Sequence, residues 1–179
     1  MIYLVFGTSG AGKSSLITLL KKIDPKITIH QKDTTRLPRK TESKEGSLDL
    51  KFVNKLKKED YEIIYYKYGN YYGIRKDILK QSYKTNAIHF IIIRDINAIR
   101  LFKYMHPKAK SIYIHTDPLK IPIVLQAKEG IEFNERVKRI EEEFNDFVKN
   151  NSLFDFIIVN FWNMSSAKKQ LKNILKLNE

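Results

Sequence analysis

One segment, Gly7-Thr8-Ser9-Gly10-Ala11-Gly12-Lys13-Ser14, constrains this chain more than any other. It fits the pattern G-x-x-x-x-G-K-[ST], in which backbone amides of a glycine-rich loop cradle phosphates. The apolar run Ile2-Tyr3-Leu4-Val5-Phe6 precedes it and reads as a buried strand, while Ser14 to Lys22 has the apolar spacing of a helix. Strand, loop and helix in that order aim successive N–H groups, and the positive end of the helix, at one anion. Gly7, Thr8, Ser9, Gly10, Ala11, Gly12, Lys13, Ser14 and Ser15 are therefore expected to hold a nucleoside triphosphate. Lys13 is placed to reach its β- and γ-phosphates, and the Ser14 hydroxyl to hold Mg²⁺.

The 179 residues suffice for one sizeable core, and 42% hydrophobic with 30% charged residues is ordinary for a soluble globular chain. No run is long enough to span a membrane, and the N-terminal strand runs straight into the glycine loop instead of forming a signal peptide. There is no cysteine, so disulfides and thiolate metal sites are excluded, and a cytoplasmic location is expected. His30, His89, His106 and His115 lack the spacing of metal ligands. The net charge of +13 comes mostly from lysines spread along the chain amid abundant Ile and Asn. That reads as a compositional bias, and a nucleic-acid partner is not expected from it.

Further along, 27–30, 50–53, 61–68 and 71–74 read as strands, with Gly69-Asn70 as a turn, and a polar stretch from Gln31 to Ser47 has no period. A helix is expected from near Arg75 to near Lys84. Alternation then resumes: strand 87–93, helix 96–105, strand 111–115, a helix opening at Asp117-Pro118, a break at 128–132, a helix to about Lys149, strand 156–160 and helix 165–177. Strands alternating with helices predict an α/β fold with a parallel sheet, and ligands at the carboxyl ends of its strands.

Thr34-Thr35-Arg36-Leu37-Pro38-Arg39 offers two guanidinium forks in one loop, suited to a second phosphate. Together with the glycine loop it resembles the T-T-R-x-P-R motif of guanylate kinases. Gly69-Asn70-Tyr71-Tyr72-Gly73 is similar to that family's G-N-x-Y-G turn, Arg136 with Glu143 to its R-L-x-x-A-x-x-E helix, and Asp155 to Asn160 to its terminal D-x-V-I-V-N strand. The resemblance implies a three-layer P-loop α/β/α fold with a five-stranded parallel core sheet. It implies a core at 1–30 and 85–179, a β-rich monophosphate-binding insert at about 31–84 and a lid at about 120–135. It also implies an ATP-dependent nucleoside monophosphate kinase using Mg²⁺, with GMP or dGMP as acceptor and nucleotides as its partners; a homodimer is compatible with it. By the same resemblance Arg36, Arg39, Tyr72 and Asp95 serve the acceptor, Lys13, Arg36 and Arg136 the transferring phosphoryl group, and Asn160 the adenine.

Several positions depart from the family pattern. Lys32 stands where the family has a serine, Leu50 where it has a tyrosine, Ile74 where it has Ser or Thr, and Ile93 where it has the first aspartate of L-D-I-D. The glutamate that reads guanine falls at Ile63, and the adjacent Glu62 can replace it only through a bulge, because one residue along a strand changes face. The lid region offers Gln126, Lys128 and Arg136, with Arg139 as a substitute cation. The Tyr71-Tyr72-Gly73-Ile74 turn is also similar to ribose 1,5-bisphosphate phosphokinases, and non-catalytic guanylate-kinase-like modules of scaffold proteins are a further alternative.

Overall fold

The computed structural model describes residues 1–38, 42–43, 46–117, 121 and 133–177, with backbone alone at 133–136. A five-stranded parallel sheet has the order β2-β7-β1-β8-β9, formed by Ile27–His30, Ile88–Ile92, Ile2–Phe6, Lys110–His115 and Phe156–Val159. β1 is buried at all five positions, which accounts for its unbroken apolar run. A second, four-stranded sheet has the order β4-β3-β6-β5, from Leu50–Phe52, Lys32–Thr34, Asn70–Arg75 and Tyr61–Lys67. The helices are α1 (Lys13–Lys21), α2 (Lys76–Tyr83), α3 (Ile96–Met105), α4 (Phe133–Lys149) and α5 (Met164–Leu175). None of the described helices is long and apolar enough to cross a membrane.

The chain packs as two compact units. One comprises Met1–Leu4 and Asp24–Ala109, the other Val5–Ile23 and Lys110–Glu179. In the second unit α1 buries Leu16, Ile17 and Leu20, and α5 buries Ala167, Leu171 and Leu175, so the two helices meet through apolar rows spaced three and four residues apart. Behind them the Tyr113 ring stacks flat on Phe147, 3.6 Å between centroids. Burial pushes the Tyr113 phenol above its ordinary pKa, and the charge of Glu143 adds to the effect.

In the first unit β7 and α3 supply the core, through Phe90, Ile91 and Ile92 and through Ile99 and Phe102. Asp95 caps α3 by accepting the Ala98 amide at 2.7 Å. The β5–β6 hairpin turns on Tyr68 and Gly69, both at positive φ, one residue earlier than the sequence suggests. Two successive residues at positive φ fit the twist of a two-residue hairpin, and Asn70 already belongs to β6.

Inside the stretch that shows no period lies β3. It pairs parallel with β4 and antiparallel with β6. All three of its residues, Lys32, Asp33 and Thr34, are buried although all are polar, so hydrophobic patterning has nothing to register.

Candidate active site

The glycine loop and its supports lie in the second unit. Gly12 ends the loop at φ 83° and leads directly into α1, whose first turn has no side-chain cap. The uncapped amides leave the positive helix end open to an anion. A Cβ at Gly12 would stand 2.9 Å from Asn160 Nδ2 on top of the left-handed backbone, so the position excludes any side chain. Lys13 is buried and its ammonium donates to the loop's own carbonyls, Gly7 O at 2.6 Å and Thr8 O at 2.7 Å. Ser14 sits half-buried in the first helical turn.

One loop amide already holds a carboxylate. Ser9 N–H donates to Glu143 Oε2 at 2.6 Å, and Glu143, on α4, is 1% exposed. Its other oxygen has no hydrogen-bond partner, and neither do the buried hydroxyls of Thr8 and Thr116 or Asn160 Oδ1. A buried polar atom left without a partner costs about 1–3 kcal/mol. Several of them around one glycine loop fit a cradle whose remaining partners arrive with a polar ligand, and the residue set suits a triphosphate and its metal ion.

Asn160 does more than terminate β9. Its Nδ2 donates to Ala11 O at 3.0 Å, tying the last strand to the loop. The role implied for it beside adenine leaves Oδ1 as the available atom. Arg136 falls in the first turn of α4, and its side chain lies outside the described residues; Arg139, one turn along, is half-buried. Ser15 is exposed on α1, while Gly10 and Ala11 complete the loop.

The candidate acceptor residues lie in the first unit. Thr34 Oγ1 donates to Tyr71 O at 2.9 Å and accepts the Arg36 amide at 3.1 Å, and Thr35 Oγ1 accepts the Tyr71 amide at 3.0 Å. These two hydroxyls pin the start of the arginine loop to β6. Arg36 lies over the Phe52 ring, 5.0 Å from its centroid, and its Nη2 makes two hydrogen bonds to the Glu42 carboxylate at 2.9 and 2.8 Å. Arg39 lies outside the described residues, as do Gln126, Lys128 and nearly all of 120–135.

Strand register gathers Lys32 and Thr34 of β3, Tyr72 and Ile74 of β6, and Ile63 and Tyr65 of β5 on one face of the small sheet. Tyr72 stacks on Tyr65 with centroids 5.2 Å apart and planes 13° from parallel. The Tyr65 phenol is pushed above its ordinary pKa, first by burial and then by Tyr72. Lys32 is 2% exposed; its ammonium donates to Ile92 O and lies 3.6 Å from Asp49 Oδ2. Burial lowers its pKa to about 8, against the pull of Asp49 and with help from Arg94. Asp95 uses one carboxylate oxygen, Oδ1, to cap the head of α3.

Glu62 is the exception among the acceptor candidates. The bulge it requires is present between Tyr61 and Ile63, yet the carboxylate approaches His106 Nε2 at 3.4 Å and lines a groove with Tyr61, Ile64 and Tyr71. Those residues occupy the opposite face from Tyr65 and Tyr72. The bulge thus turns Glu62 toward the end of α3, on the other side of the sheet from Tyr65 and Tyr72. Ile63 and Ile74 pair across the strands and are buried, so this part of the face is apolar. Sequence reasoning missed Glu42 and Glu143 as partners of Arg36 and of the loop; both contacts depend on tertiary placement that spacing does not encode.

The family model described as guanylate kinase matches residues 1–178. A guanylate kinase of Thiobacillus denitrificans is 31% identical over 169 aligned residues, which cover 89% of this chain and 78% of that one. A guanylate kinase of Helicobacter pylori is 27% identical over 187 aligned residues, covering 98% of this chain and 86% of that one. Among solved structures, guanylate kinase from Anaplasma phagocytophilum matches with a TM-score of 0.69 at 20% identity, over 98% of this chain and 84% of its own. Shikimate kinase from Bacteroides thetaiotaomicron matches with a TM-score of 0.55 at 15% identity over 99% of each chain. At those identities the two structural likenesses carry the fold, a P-loop α/β architecture, and no more.

Proposed function

The chain belongs to the guanylate kinase family, and on that premise we propose that it transfers the γ-phosphoryl group of ATP to GMP or dGMP in the cytoplasm. The observation that carries this reading is the uncapped start of α1 behind a loop whose amide at Ser9 already binds a carboxylate oxygen. An anionic oxygen is what that amide is oriented to donate to.

In the reaction, an oxygen of the acceptor's phosphate attacks the γ-phosphorus, the bond to the β–γ bridging oxygen breaks, and ADP leaves. Lys13 exchanges the Gly7 and Thr8 carbonyls for phosphate oxygens and neutralises charge there. Ser14 would hold Mg²⁺, which would supply positive charge against the triphosphate when bound. By the family pattern Arg36, Arg39 and Tyr72 grip the acceptor's phosphate, Asp95 orients the acceptor, and Arg136 serves the transferring group. Asn160 keeps the loop in shape through Ala11 and presents Oδ1 to the donor base.

Lys32, Ile63 and Ile74 offer a donor and two apolar surfaces where guanine's N–H groups require acceptors. Discrimination against other bases is therefore weaker than a carboxylate would give. The test is ADP release in the presence of GMP, dGMP, AMP, CMP, UMP and ribose 1,5-bisphosphate. GMP or dGMP is expected to be turned over fastest. No turnover with any nucleotide, while ATP still binds, would overturn the kinase reading in favour of a binding module; turnover with the ribose bisphosphate alone would favour the other enzyme.

A further inference from the structure

The second face of the small sheet carries Asp33, Tyr61, Ile64, Tyr66, Tyr71 and Gly73, and apart from Glu62 none of the residues assigned to a substrate. The Tyr61 ring lies across Gly73, where even a methyl group would collide with it, and its hydroxyl donates to the buried Asp33 carboxylate at 2.7 Å. That bond fixes the floor of an open groove of about 1200 Å³, lined by Tyr61, Ile64 and Tyr71 with Lys55, Lys58 and Lys76 around them. Beyond it Tyr66 and Tyr71 form a tilted pair, centroids 5.0 Å apart, and they are 59% and 52% exposed.

Tyrosine on a strand ordinarily packs against neighbours, and these two leave most of their surface in water. Their backbone is not loose: Tyr71 N and O are held by the two threonines that open the arginine loop. The platform is therefore preorganised, with little ordering left to do on binding. Glu59 and Glu62 also line the groove: the Lys76 ammonium donates to the Glu59 backbone carbonyl at 2.9 Å, the Glu62 carboxylate lies 3.4 Å from His106 Nε2, and three lysines stand against the two carboxylates. The groove exceeds the space that one mononucleotide fills. An acidic peptide would answer the lysines and leave the rings uncovered, whereas an unpaired nucleic-acid strand answers both, because each base has a face to stack and each linkage a charge.

We propose that this face binds single-stranded nucleic acid, with Lys55, Lys58 and Lys76 following the phosphates and Tyr66 and Tyr71 stacking on bases. The inference does not rest on the kinase reading and uses none of its residues. The sequence spreads lysine diffusely, and the fold brings some of it alongside exposed rings.

The test is fluorescence anisotropy of a labelled single-stranded DNA and of an RNA oligonucleotide with the full chain, at low and at raised salt. Binding is expected at low salt, falling steeply as salt rises. The double variant Tyr66→Ala, Tyr71→Ala is expected to weaken it about tenfold or more, and Lys55→Gln with Lys58→Gln to weaken it and flatten the salt dependence. ATP binding and melting temperature of each variant serve as controls for folding. No binding at low salt would overturn the proposal, as would an affinity unchanged by the tyrosine variant in a folded protein. Displacement by polyglutamate as effective as by unlabelled oligonucleotide of equal charge would also overturn it, since stacking would then contribute nothing.

Discussion

Arg36 is bound by Glu42: both carboxylate oxygens accept from the same guanidinium nitrogen, at 2.8 and 2.9 Å. The pair is part-exposed, so the interaction is worth about 1 kcal/mol or less. On the proposed function, an acceptor's phosphate competes with Glu42 for Arg36. Glu42→Gln should lower the KM for the monophosphate roughly threefold with kcat unchanged, an effect of the size expected for one such ion pair. Steady-state kinetics in the acceptor would check it, and an increase in KM would contradict the competition.

At the donor side the prediction concerns space. Gly12→Ala sets a methyl group against Asn160 Nδ2 and forces an L-residue into φ 83°. The expected cost is about 1–3 kcal/mol in stability. ATP affinity should fall by more than tenfold, because the strain moves the loop amides that the triphosphate needs. Calorimetric titration with ATP and a thermal melt give the two quantities separately, and unchanged ATP affinity would show that the loop tolerates the shift.

Lys13→Ala should retain the fold and lose catalysis. Removing a preorganised charge from developing negative oxygens costs about 100-fold or more in kcat. Activity within a few-fold of the parent would place the transferring phosphoryl group elsewhere.

A buried side-chain bond ties β5 to β3 in the small sheet. Tyr61→Phe leaves the ring over Gly73 but takes the donor from Asp33, which is 2% exposed. Loss of a hydrogen bond to a buried charge should cost about 2 kcal/mol, seen as a lower urea midpoint with unchanged slope. Arg75, whose Nη1 lies 3.6 Å from Asp33 Oδ2, limits the loss.

Acid sensitivity follows from His30. Its Nε2 meets His89 Nδ1 at 2.9 Å and the Ser82 hydroxyl at 3.0 Å. Burial, and secondly His89, lower its pKa from 6.5 to about 4. The His89 pKa is lowered as well, by burial and by the amino terminus. Between those values the unfolded chain binds more protons than the fold, so stability is full above the unfolded pKa and is lost as pH falls toward the folded one. Unfolding free energy should drop by roughly 2 kcal/mol between about pH 7 and pH 4.5, less than the full shift because the His30 ring is partly solvated. Urea titrations across that range check it, and His30→Asn should flatten the profile.

The glycine loop was legible because its chemistry is written in consecutive residues, with the strand and helix it needs on either side. The parallel sheet was legible from alternation for the same reason. Lys32-Asp33-Thr34 was not, since three polar residues owe their burial to Asp49, Tyr61 and Ile92, none of them near in sequence. Glu62 marks the boundary between the two cases. Its bulge could be stated as a condition from register alone, whereas its partner His106 comes from the far end of another helix. Asn160 is read correctly as a residue of the terminal strand's end, but its bond to Ala11 emerges only when the chain closes on itself.

β3 has one further consequence, which concerns the order of assembly. β5 and β6 are joined by two residues and can pair as soon as both exist, on the microsecond scale of a hairpin. β3 must wait, because its register with Gly73 and Tyr72 closes a loop across the whole small sheet, and such long-range closure is slow. The threonines that fix the arginine loop to Tyr71 form with it. The anchorage of the arginine loop is thus among the last parts of this sheet to form during folding and among the first to be lost on unfolding.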